Sequence, residues 1–392
     1  MAEGLAGAQG ARVRKWIGLL AVALLAACQV VPKTPPRPIA TPPQQPRPEQ
    51  VGPSLPSDAE RHRIALLVPL SGPNAGVGTS ISNAANLAVL DTGGARIRVT
   101  MYDTGASAAA AASKAIAEGN RLILGPLTAD EARAVGPVAR SAHVPVIAFS
   151  NDASVAGNGT FVMGYTPGES IERVVHYARG RGMTKFAGLI PAGLYGQRAS
   201  TAFLHAVEDG GGKVVALQTY DRSQSAINSA ITRLSPTAPW DAVLIADAGR
   251  IAVQAVPALR AKGGGSAKIL GTELWNTEGA LANSPVLKGA WFASVSDGLY
   301  NQLAAKYRVR FGRSPYRLAS LGYDAVLLVT RIAADWPVGT AFPASRLTDP
   351  GGFSGIDGAF RFGRDGIAER ALEVQQVQPG GFTVVSPAPH GF

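Results

Sequence analysis

Hydroxyl, amide and aromatic side chains recur immediately after the apolar segments that predict buried strands. These positions are 71–79, 126–129, 150–152, 195–197 and 247–249. In an open α/β sheet, ligands bind beyond the carboxyl ends of the strands, where helix N-termini present free N–H groups and a positive dipole end. Such groups suit a small carboxylate. The candidate cleft residues are Ser71, Gly78, Thr128, Ala129, Ser150, Asn151, Tyr195, Asp247 and Trp275.

The same loops lack the motifs of common enzymes. The turn at Gly76 to Gly78 is too short for a G-x-G-x-x-G fingerprint, and no phosphate-loop lysine follows it. The stretch 352–355 has the wrong spacing for a nucleophile elbow. The five histidines are dispersed and never approach metal-ligand spacing. We therefore predict no enzyme activity, no catalytic residues, no metal and no cofactor.

Composition predicts a globular chain that does not bind nucleic acid. Of the 392 residues, 46% are hydrophobic and 16% are charged, which allows a sizeable core divided into two domains or lobes. The formal net charge is +10, but the basic residues are scattered along the chain. A nucleic-acid groove would show clustered basic residues interleaved with aromatics. Nucleic acid is therefore not a predicted partner.

Strands and helices alternate along the chain in two series. Alternation at this interval is typical of β-α-β units in a doubly wound sheet, and two successive sheets imply two lobes with a cleft between them. The first series predicts strands at 63–70, 97–102, 122–124 and 144–149. The second series, after Gly168, predicts strands at 185–190, 213–219, 242–246 and 268–270.

The single cysteine, Cys28, ends an apolar run at the amino terminus. Basic residues at 12–15 precede the 12 apolar residues 16–27, which is the pattern of a secretory signal and too short for a bilayer span of about 20 residues. Residues 25–28 read Leu-Ala-Ala-Cys and resemble the bacterial lipobox, which implies cleavage after residue 27 and a lipid on Cys28. Since Gln29 is not the aspartate that retains such lipoproteins at the inner membrane, the resemblance implies an outer-membrane anchor facing the periplasm. The alternative is an ordinary signal with a stray thiol.

A proline-rich segment follows the cysteine. Residues 31–56 are dominated by Pro, Gln, Thr and basic residues and should favour an extended polyproline II chain. At about 3.1 Å per residue, roughly 30 residues would reach on the order of 90 Å and could act as a tether. The alternative is a linker that needs no particular length. We expect a signal peptide at 1–27, a linker at 28–62 and a globular domain at 63–392.

The ordered motifs of the globular part resemble the type I periplasmic binding fold, most generally the leucine/isoleucine/valine-binding proteins. The motifs include IALLVPLSGPNAGVG, LILGPLTADEA, LGYDAVLLV and FSGIDGAFRFGRDG. The resemblance covers residue 63 to about residue 385 and implies two doubly wound α/β lobes joined by three crossovers. It implies a first lobe of about 63–165 and 272–335, and a second lobe of about 166–271 and 336–386.

A narrower resemblance adds the lipobox, the linker, PAGLYGQR and ELWNTEGALANSPVLKGAWFASV. Together these look like the penicillin-binding-protein activator lipoproteins. That family implies a non-enzymatic regulator that binds and activates a bifunctional peptidoglycan synthase. The alternative function is a solute-binding receptor that delivers amino acids or another small polar metabolite to an ABC transporter.

The amino-acid-binding relatives also imply roles for single residues. Hydroxyl groups near Thr128 and Ser150 hold the ligand carboxylate there, and an aromatic at Tyr195 covers the ligand. In those relatives an acid holds the ammonium group of the ligand. Its position corresponds to Ile251 in this chain, and Asp247 is the nearest acid. Because a buried ammonium without a counter-ion is strongly disfavoured, we expect ordinary amino acids to bind weakly or not at all. The alternatives are helix capping for Thr128 and Ser150, cleft packing for Tyr195 and core packing for Trp275.

Overall fold

The computed structural model describes residues 60–278, 281 and 283–389. The predicted signal peptide, Cys28 and most of the predicted linker lie outside these residues. The strands are β1 His62–Val68, β2 Ile97–Asp103, β3 Leu122–Leu124, β4 Val146–Ala148, β5 Thr160–Val162, β6 Lys185–Pro191, β7 Lys213–Tyr220, β8 Ala242–Ile245, β9 Lys268–Gly271, β10 Trp291–Ser294, β11 Phe353–Gly355, β12 Gly358–Phe362, β13 Ala368–Arg370, β14 Glu373–Gln378 and β15 Gly381–Ser386.

The α-helices alternate with the strands in both halves of the chain. They are α1 Ala75–Asp91, α2 Ala108–Ala117, α3 Ala129–Ser141, α4 Pro167–Gly180, α5 Leu194–Asp209, α6 Gln224–Leu234, α7 Gly249–Leu259, α8 Gly298–Phe311 and α9 Ala319–Ile332. No helix in the described part of the chain is both long and apolar enough to cross a membrane.

The first lobe contains a five-stranded parallel sheet in the order β2-β1-β3-β4-β5. Its central strands β1, β3 and β4 are apolar apart from the first two residues of β1, because both faces of the sheet are covered. One face packs against α1, α8 and α9, with Leu66, Ile81 and Val326 in the shared core. The other face packs against α2 and α3, with Leu67 and Val135 in its core. The antiparallel sheet β11-β12-β13 also joins the first lobe, since its phenylalanines pack into the α1/α9 core.

The second lobe contains a seven-stranded sheet in the order β15-β14-β10-β9-β8-β6-β7. Strands β6 to β10 are parallel, whereas β14 and β15 run antiparallel at one edge. Helices α6 and α7 cover one face, where Ile227 and Val256 are buried. Helices α4 and α5 cover the other, where Ile171 and Phe203 are buried.

This architecture confirms the predicted type I periplasmic binding fold with two doubly wound lobes. The chain passes between the lobes three times, after β5, after β10 and after β13. The lobe bounds expected from the sequence, with 272–335 in the first lobe and 336–386 in the second, differ from this sheet membership. Strand β10 pairs with β9 and β14, so the chain stays in the second lobe until about residue 295. Strands β11 to β13 lie in the first lobe because Phe353 and Phe360 are buried in its core.

In each lobe, the helix that follows the first strand approaches the end of that strand in the same way. A Cβ atom on Gly78 of α1 would lie 1.9 Å from the carbonyl oxygen of Pro69. A Cβ atom on Gly196 of α5 would lie 1.7 Å from the carbonyl oxygen of Pro191. Only glycine lets the first turn of each helix reach the strand end so closely. The two glycines therefore fix where these helices begin at the cleft.

Candidate functional site

A cavity of about 640 Å³ lies between the lobes and is called the interlobe cavity below. The first lobe contributes mostly apolar and aromatic side chains to its wall, and the second lobe contributes Glu273, Leu274 and Asn276. The remaining lining residues are Leu127, Phe149, Asn151, Tyr165, Tyr300, Pro315, Tyr316, Arg317 and Leu318. A mostly apolar cavity of this size with a few polar groups is typical of small-molecule sites, which measure about 300–1,000 Å³.

The structure places Ser71 and Gly78 at the turn between β1 and α1. The backbone N–H of Ser71 donates to Asp103 Oδ1 at 3.2 Å, and Ser71 is exposed. Gly78 is packed against Pro69, as described above. Neither residue is part of the wall of the interlobe cavity.

Thr128 and Ala129 begin helix α3 through a capping box. The Thr128 hydroxyl donates to Glu131 Oε2 at 2.9 Å, and the backbone N–H of Glu131 donates to Thr128 Oγ1 at 3.3 Å. Glu131 Oε2 also accepts from the backbone N–H of Thr128 at 2.8 Å. The hydroxyl that the family resemblance assigns to a ligand carboxylate is therefore engaged within its own helix terminus.

The segment after β4 contains Ser150, Asn151 and Asp152. Ser150 Oγ accepts from the backbone N–H of Asp152 at 3.0 Å, whereas Asn151 is exposed and lines the interlobe cavity. The buried Asp152 carboxylate pairs with Arg133 of α3 at 2.6 Å and with Arg198 of α5. Since α5 belongs to the second lobe, Asp152 forms an ion pair across the cleft.

Asp247 is not available to a ligand in this structure. Its carboxylate accepts from Tyr220 at 3.0 Å, from Arg222 Nε at 2.9 Å and from the backbone N–H of Ala248 at 2.8 Å. Trp275 is fully buried in the second-lobe core and donates from Nε1 to the carbonyl of Asp247 at 2.9 Å. Ile251 packs in the same core. The residues of the loop after β8 therefore stabilise the second lobe by bonding and packing against one another.

Tyr195 contacts a different acid. Its hydroxyl lies 3.0 Å from Thr272 Oγ1 and donates to Glu273 Oε1 at 3.0 Å. Burial, and then the negative charge of Glu273, raise the pKa of the Tyr195 phenol, so it remains a hydrogen-bond donor. The residue predicted to cover the ligand thus orients the carboxyl group of Glu273.

Glu273 and Asn276 lie on the short 3₁₀ segment that follows β9. Burial raises the pKa of Glu273 to about 7, although the hydroxyls of Tyr195, Thr272 and Ser170 oppose the shift. Glu273 Oε2 and Asn276 Oδ1 are shielded from solvent and have no hydrogen-bond partner among the described residues. Buried acceptors without donors are uncommon, because each costs about 1–3 kcal/mol.

Arg317 lines the interlobe cavity beside these acceptors. Its guanidinium donates to Asp357 Oδ1 at 2.7 Å and to Asp297 Oδ1 at 3.3 Å, and its Cζ lies 4.1 Å from the ring centroid of Tyr300. Burial lowers the pKa of Arg317, but nearby groups, chiefly the negative charge of Asp357 and the bond to it, raise the pKa by a larger amount. The guanidinium therefore stays charged. Two carboxylates already neutralise this cation.

Comparison with known proteins identifies the family. The sequence profile of the periplasmic binding protein family matches residues 62–381.

This chain belongs to the periplasmic binding protein family.

Solved structures of this fold match the periplasmic binding protein over most of its length. A putative branched-chain amino acid ABC transporter from Rhodospirillum rubrum shares 21% identity, with a TM-score of 0.73, over 83% of this chain and 100% of that chain. A solute-binding protein of R. palustris in complex with 4-hydroxybenzoate shares 18% identity, with a TM-score of 0.65, over 84% and 98%. At these identities the likeness shows the fold.

A curated relative is similar to part of the chain. An uncharacterised protein of Rickettsia prowazekii, RP748, is 28% identical over 177 residues, which are 45% of this chain and 47% of that protein. The matched segment therefore spans about half the length of the curated relative.

The structure of this periplasmic binding protein adds cavity residues that the sequence patterns missed. Glu273 and Asn276 follow β9 directly, so the rule that ligands bind beyond strand ends could have found them. They were missed because β9 has only four residues and the following segment is short and irregular. Tyr300, Tyr316 and Arg317 gave no signal, because Tyr300 lies in α8 and the other two lie between α8 and α9, away from the strand ends. Within the described residues, no group of three or more His, Cys, Asp or Glu side chains could hold a metal.

Proposed function

We propose that this periplasmic binding protein is a receptor whose two lobes close on a small organic solute and present it to an ABC-type permease. The interlobe cavity carries the proposal. Its volume of about 640 Å³ suits a ligand of metabolite size, and residues of both lobes form its wall. A ligand that touches both lobes stabilises the closed arrangement by its extra contacts in that state.

The relatives support a small ligand in this position. The R. palustris protein holds 4-hydroxybenzoate, and another similar structure, a branched-chain amino acid binding protein from Streptococcus pneumoniae with a TM-score of 0.61 and 20% identity, holds isoleucine. A cavity with four aromatic side chains, Phe149, Tyr165, Tyr300 and Tyr316, suits a ligand with an apolar body.

Native mass spectrometry and thermal unfolding of the full chain test the receptor function. We expect a small molecule to co-purify, and a ligand at about 100 times its Kd to stabilise the protein by about 2.7 kcal/mol. Asn151→Trp should abolish this stabilisation, because the indole would fill the exposed position on the cavity wall. The matched control is Asn301→Trp on the exposed surface of α8, which should bind normally. Equal binding by both variants would contradict a ligand in the interlobe cavity.

A second candidate function rests on the amino terminus. The lipobox-like segment 25–28 and the proline-rich linker favour a lipid on Cys28, an outer-membrane anchor and a role as an activator of a bifunctional peptidoglycan synthase. None of the relatives named above is described as such an activator. Recovery of a peptidoglycan synthase with the native protein, with no small molecule bound, would favour this function over the receptor.

A further inference from the structure

A second, smaller space adjoins the interlobe cavity. This small void has a volume of about 20 Å³, and Tyr165, Glu273, Asn276 and Arg317 line both spaces. About 10–15 Å³ suffices for one water-sized group, so the void can hold a single polar group of a larger molecule. The interlobe cavity has room for the rest of that molecule.

Two of the side chains that line both spaces, Glu273 and Asn276, carry an acceptor oxygen to which no described residue donates. Glu273 Oε2 and Asn276 Oδ1 are buried acceptors without a hydrogen-bond partner among the described residues. The other oxygen of Glu273 already accepts from Tyr195, and the Asn276 amide nitrogen already donates to Asp297 at 3.2 Å. Because both side chains are held by these bonds, their free oxygens are fixed in place. A group with several N–H donors would satisfy both.

Two carboxyl groups, those of Glu169 and Glu273, line the void together with the guanidinium groups of Arg317 and Arg370. Two further buried acids lie behind Arg317, since Asp357 accepts from Arg317 and Asp324 accepts from the backbone N–H of Asp357. Burial raises the pKa of Glu169 and of Glu273 to about 7. An additional cation in the void would let these acids ionise at a smaller energetic cost.

The described residues that line the two spaces provide fewer free partners for a ligand carboxylate than for a ligand cation. Arg317 already has two carboxylate partners, and the Thr128 hydroxyl is used by Glu131. Arg370 has two guanidinium nitrogens, Nε and Nη1, without a partner among the described residues, but it packs over the rings of Tyr165 and Phe360 and lines only the small void. No lysine or histidine is among the described residues that line either space. The aromatic walls, in contrast, favour a cation through their ring faces.

We propose that the ligand of the interlobe cavity carries an ammonium group on an apolar or aromatic body, and that Glu273 and Asn276 accept its hydrogen bonds. The proposal rests on the receptor function and specifies the class of its ligand. The second lobe supplies the counter-charge from the segment after β9, which replaces the acid absent at Ile251. A free carboxylate on the ligand is not required.

Calorimetric titration of the full chain tests the ligand class. The probes are 2-phenylethylamine, benzoate and L-phenylalanine, which share an aromatic ring and differ in charge. We expect the amine to bind, benzoate to bind at least tenfold more weakly, and L-phenylalanine to bind no better than the amine. Tighter binding of benzoate, or binding of L-phenylalanine more than tenfold tighter than that of the amine, would overturn the proposal while leaving the receptor function intact.

Substitutions test the assigned acceptors. Since a hydrogen bond to a charged group contributes about 1.5–3 kcal/mol, Glu273→Gln should weaken amine binding about 10- to 100-fold. Asn276→Leu should weaken it to a smaller extent and provides a second variant if the first folds poorly. The matched control is Glu208→Gln on the exposed face of α5, which should leave amine binding unchanged. Unchanged amine binding in both cavity variants would remove Glu273 and Asn276 from the site.

The pH dependence of amine binding gives an independent measurement on the unmodified protein. With a Glu273 pKa of about 7, affinity should rise about tenfold from pH 6 to pH 8, because the ionised fraction rises about tenfold. The titratable and charged groups that face Glu273 are Tyr195 of α5, Glu169 of α4, Tyr165, Arg317 and Arg370 of β13. Glu273→Gln should flatten this profile. Amine affinity that is constant across this range would contradict an ionised Glu273 as the counter-charge, and no binding of any probe together with no co-purifying molecule would instead reject the receptor function.

Discussion

The two lobes present the same architecture to the cleft but differ in how they treat their polar groups. In both, the carbonyl of a proline at or directly after the end of a parallel strand lies against a glycine of the next helix, Gly78 in one lobe and Gly196 in the other. In the first lobe, the hydroxyl and carboxylate groups beyond the strands bond to one another, as Thr128 and Glu131 do. In the second, Glu273 and Asn276 keep acceptor oxygens that no described residue satisfies.

This difference indicates a division of roles between similar folds. A polar group that is satisfied locally stabilises its loop and contributes shape, whereas a buried group without a partner is a cost that a ligand can relieve. The first lobe supplies most of the aromatic wall, and the second lobe supplies the acceptors. The topological rule that ligands bind at strand ends applies to both lobes, so the hydrogen bonds decide which residues recognise the ligand.

The largest expected effect distinguishes Asp324, whose carboxylate has hydrogen-bond donors, from Glu273, whose Oε2 has no partner among the described residues. Burial and the charge of Asp357 raise the pKa of Asp324 in the first lobe to about 7, and its carboxylate accepts from the backbone N–H groups of Ile356 and Asp357. Asp324→Asn should therefore lower the free energy of unfolding at every pH by about 1–3 kcal/mol, since it disturbs these bonds. Glu273→Gln should leave stability at pH 5 nearly unchanged. Urea unfolding at pH 5, 6, 7 and 8 measures both.

The pH dependence of Glu273 has a definite sign. Its folded-state pKa of about 7 lies above its ordinary value of 4.5, so the folded state binds the proton more tightly and its stabilising contribution is lost as the pH rises from about 4.5 to 7. The loss should be on the order of 3 kcal/mol. Burial lowers the pKa of His62 and gives an opposite trend near pH 6, so the difference between wild type and Glu273→Gln is the informative quantity. If the free energy of unfolding changes with pH in the same way for both proteins, folding does not raise the pKa of Glu273.

The next effect tests the feature that the lobes share. Gly78→Ala and Gly196→Ala should each cost about 1–3 kcal/mol, because the added methyl group would overlap a backbone carbonyl oxygen. The matched control is Gly180→Ala at the end of α4, where a Cβ meets nothing within 4 Å; it should be neutral or slightly stabilising. Thermal unfolding of the three variants measures the costs. A large cost at only one of the two positions would mean that the lobes are not equivalent at the helices that follow their first strands.

Much of the fold was predictable because buried strands are continuous apolar runs. The apolar run predicted as a strand at 63–70 corresponds to β1, and the run predicted at 122–124 corresponds to β3. The point near residue 295 at which the chain returns to the first lobe was not predictable, since β10 has only four residues and follows an irregular segment. The pairing of Tyr195 with Glu273 joins residues 78 positions apart, and local patterns carry no information about such a contact. For the same reason, Asp247 looked free in the sequence although Arg222 and Tyr220 bind it in the structure.

The smallest expected effect concerns the only carboxylate described above that pairs with an arginine from each lobe. Asp152 binds Arg133 of its own lobe and Arg198 of the second lobe. Both arginines are partly exposed, with side-chain exposures of 45% and 22%, so each pair should contribute no more than about 1 kcal/mol. The two substitutions are nevertheless not equivalent. Arg198→Ala removes a contact that exists only when the lobes are closed, and should therefore weaken ligand binding about two- to fivefold by shifting the population toward the open form.

Arg133→Ala removes a contact within one lobe that persists in both forms, so it should change stability slightly and ligand affinity not at all. Calorimetric titration of both variants, and the distance between two spin labels placed on opposite lobes in a Cys28→Ser background, would measure the difference. Those labels would be the only thiol-linked probes, because Cys28 is the single cysteine of the chain. Equal affinities for the two variants, or an unchanged label distance in Arg198→Ala, would show that the ion pair across the cleft does not hold the lobes together. The acceptors of the second lobe and the aromatic wall of the first would then have to bring about closure through the ligand itself.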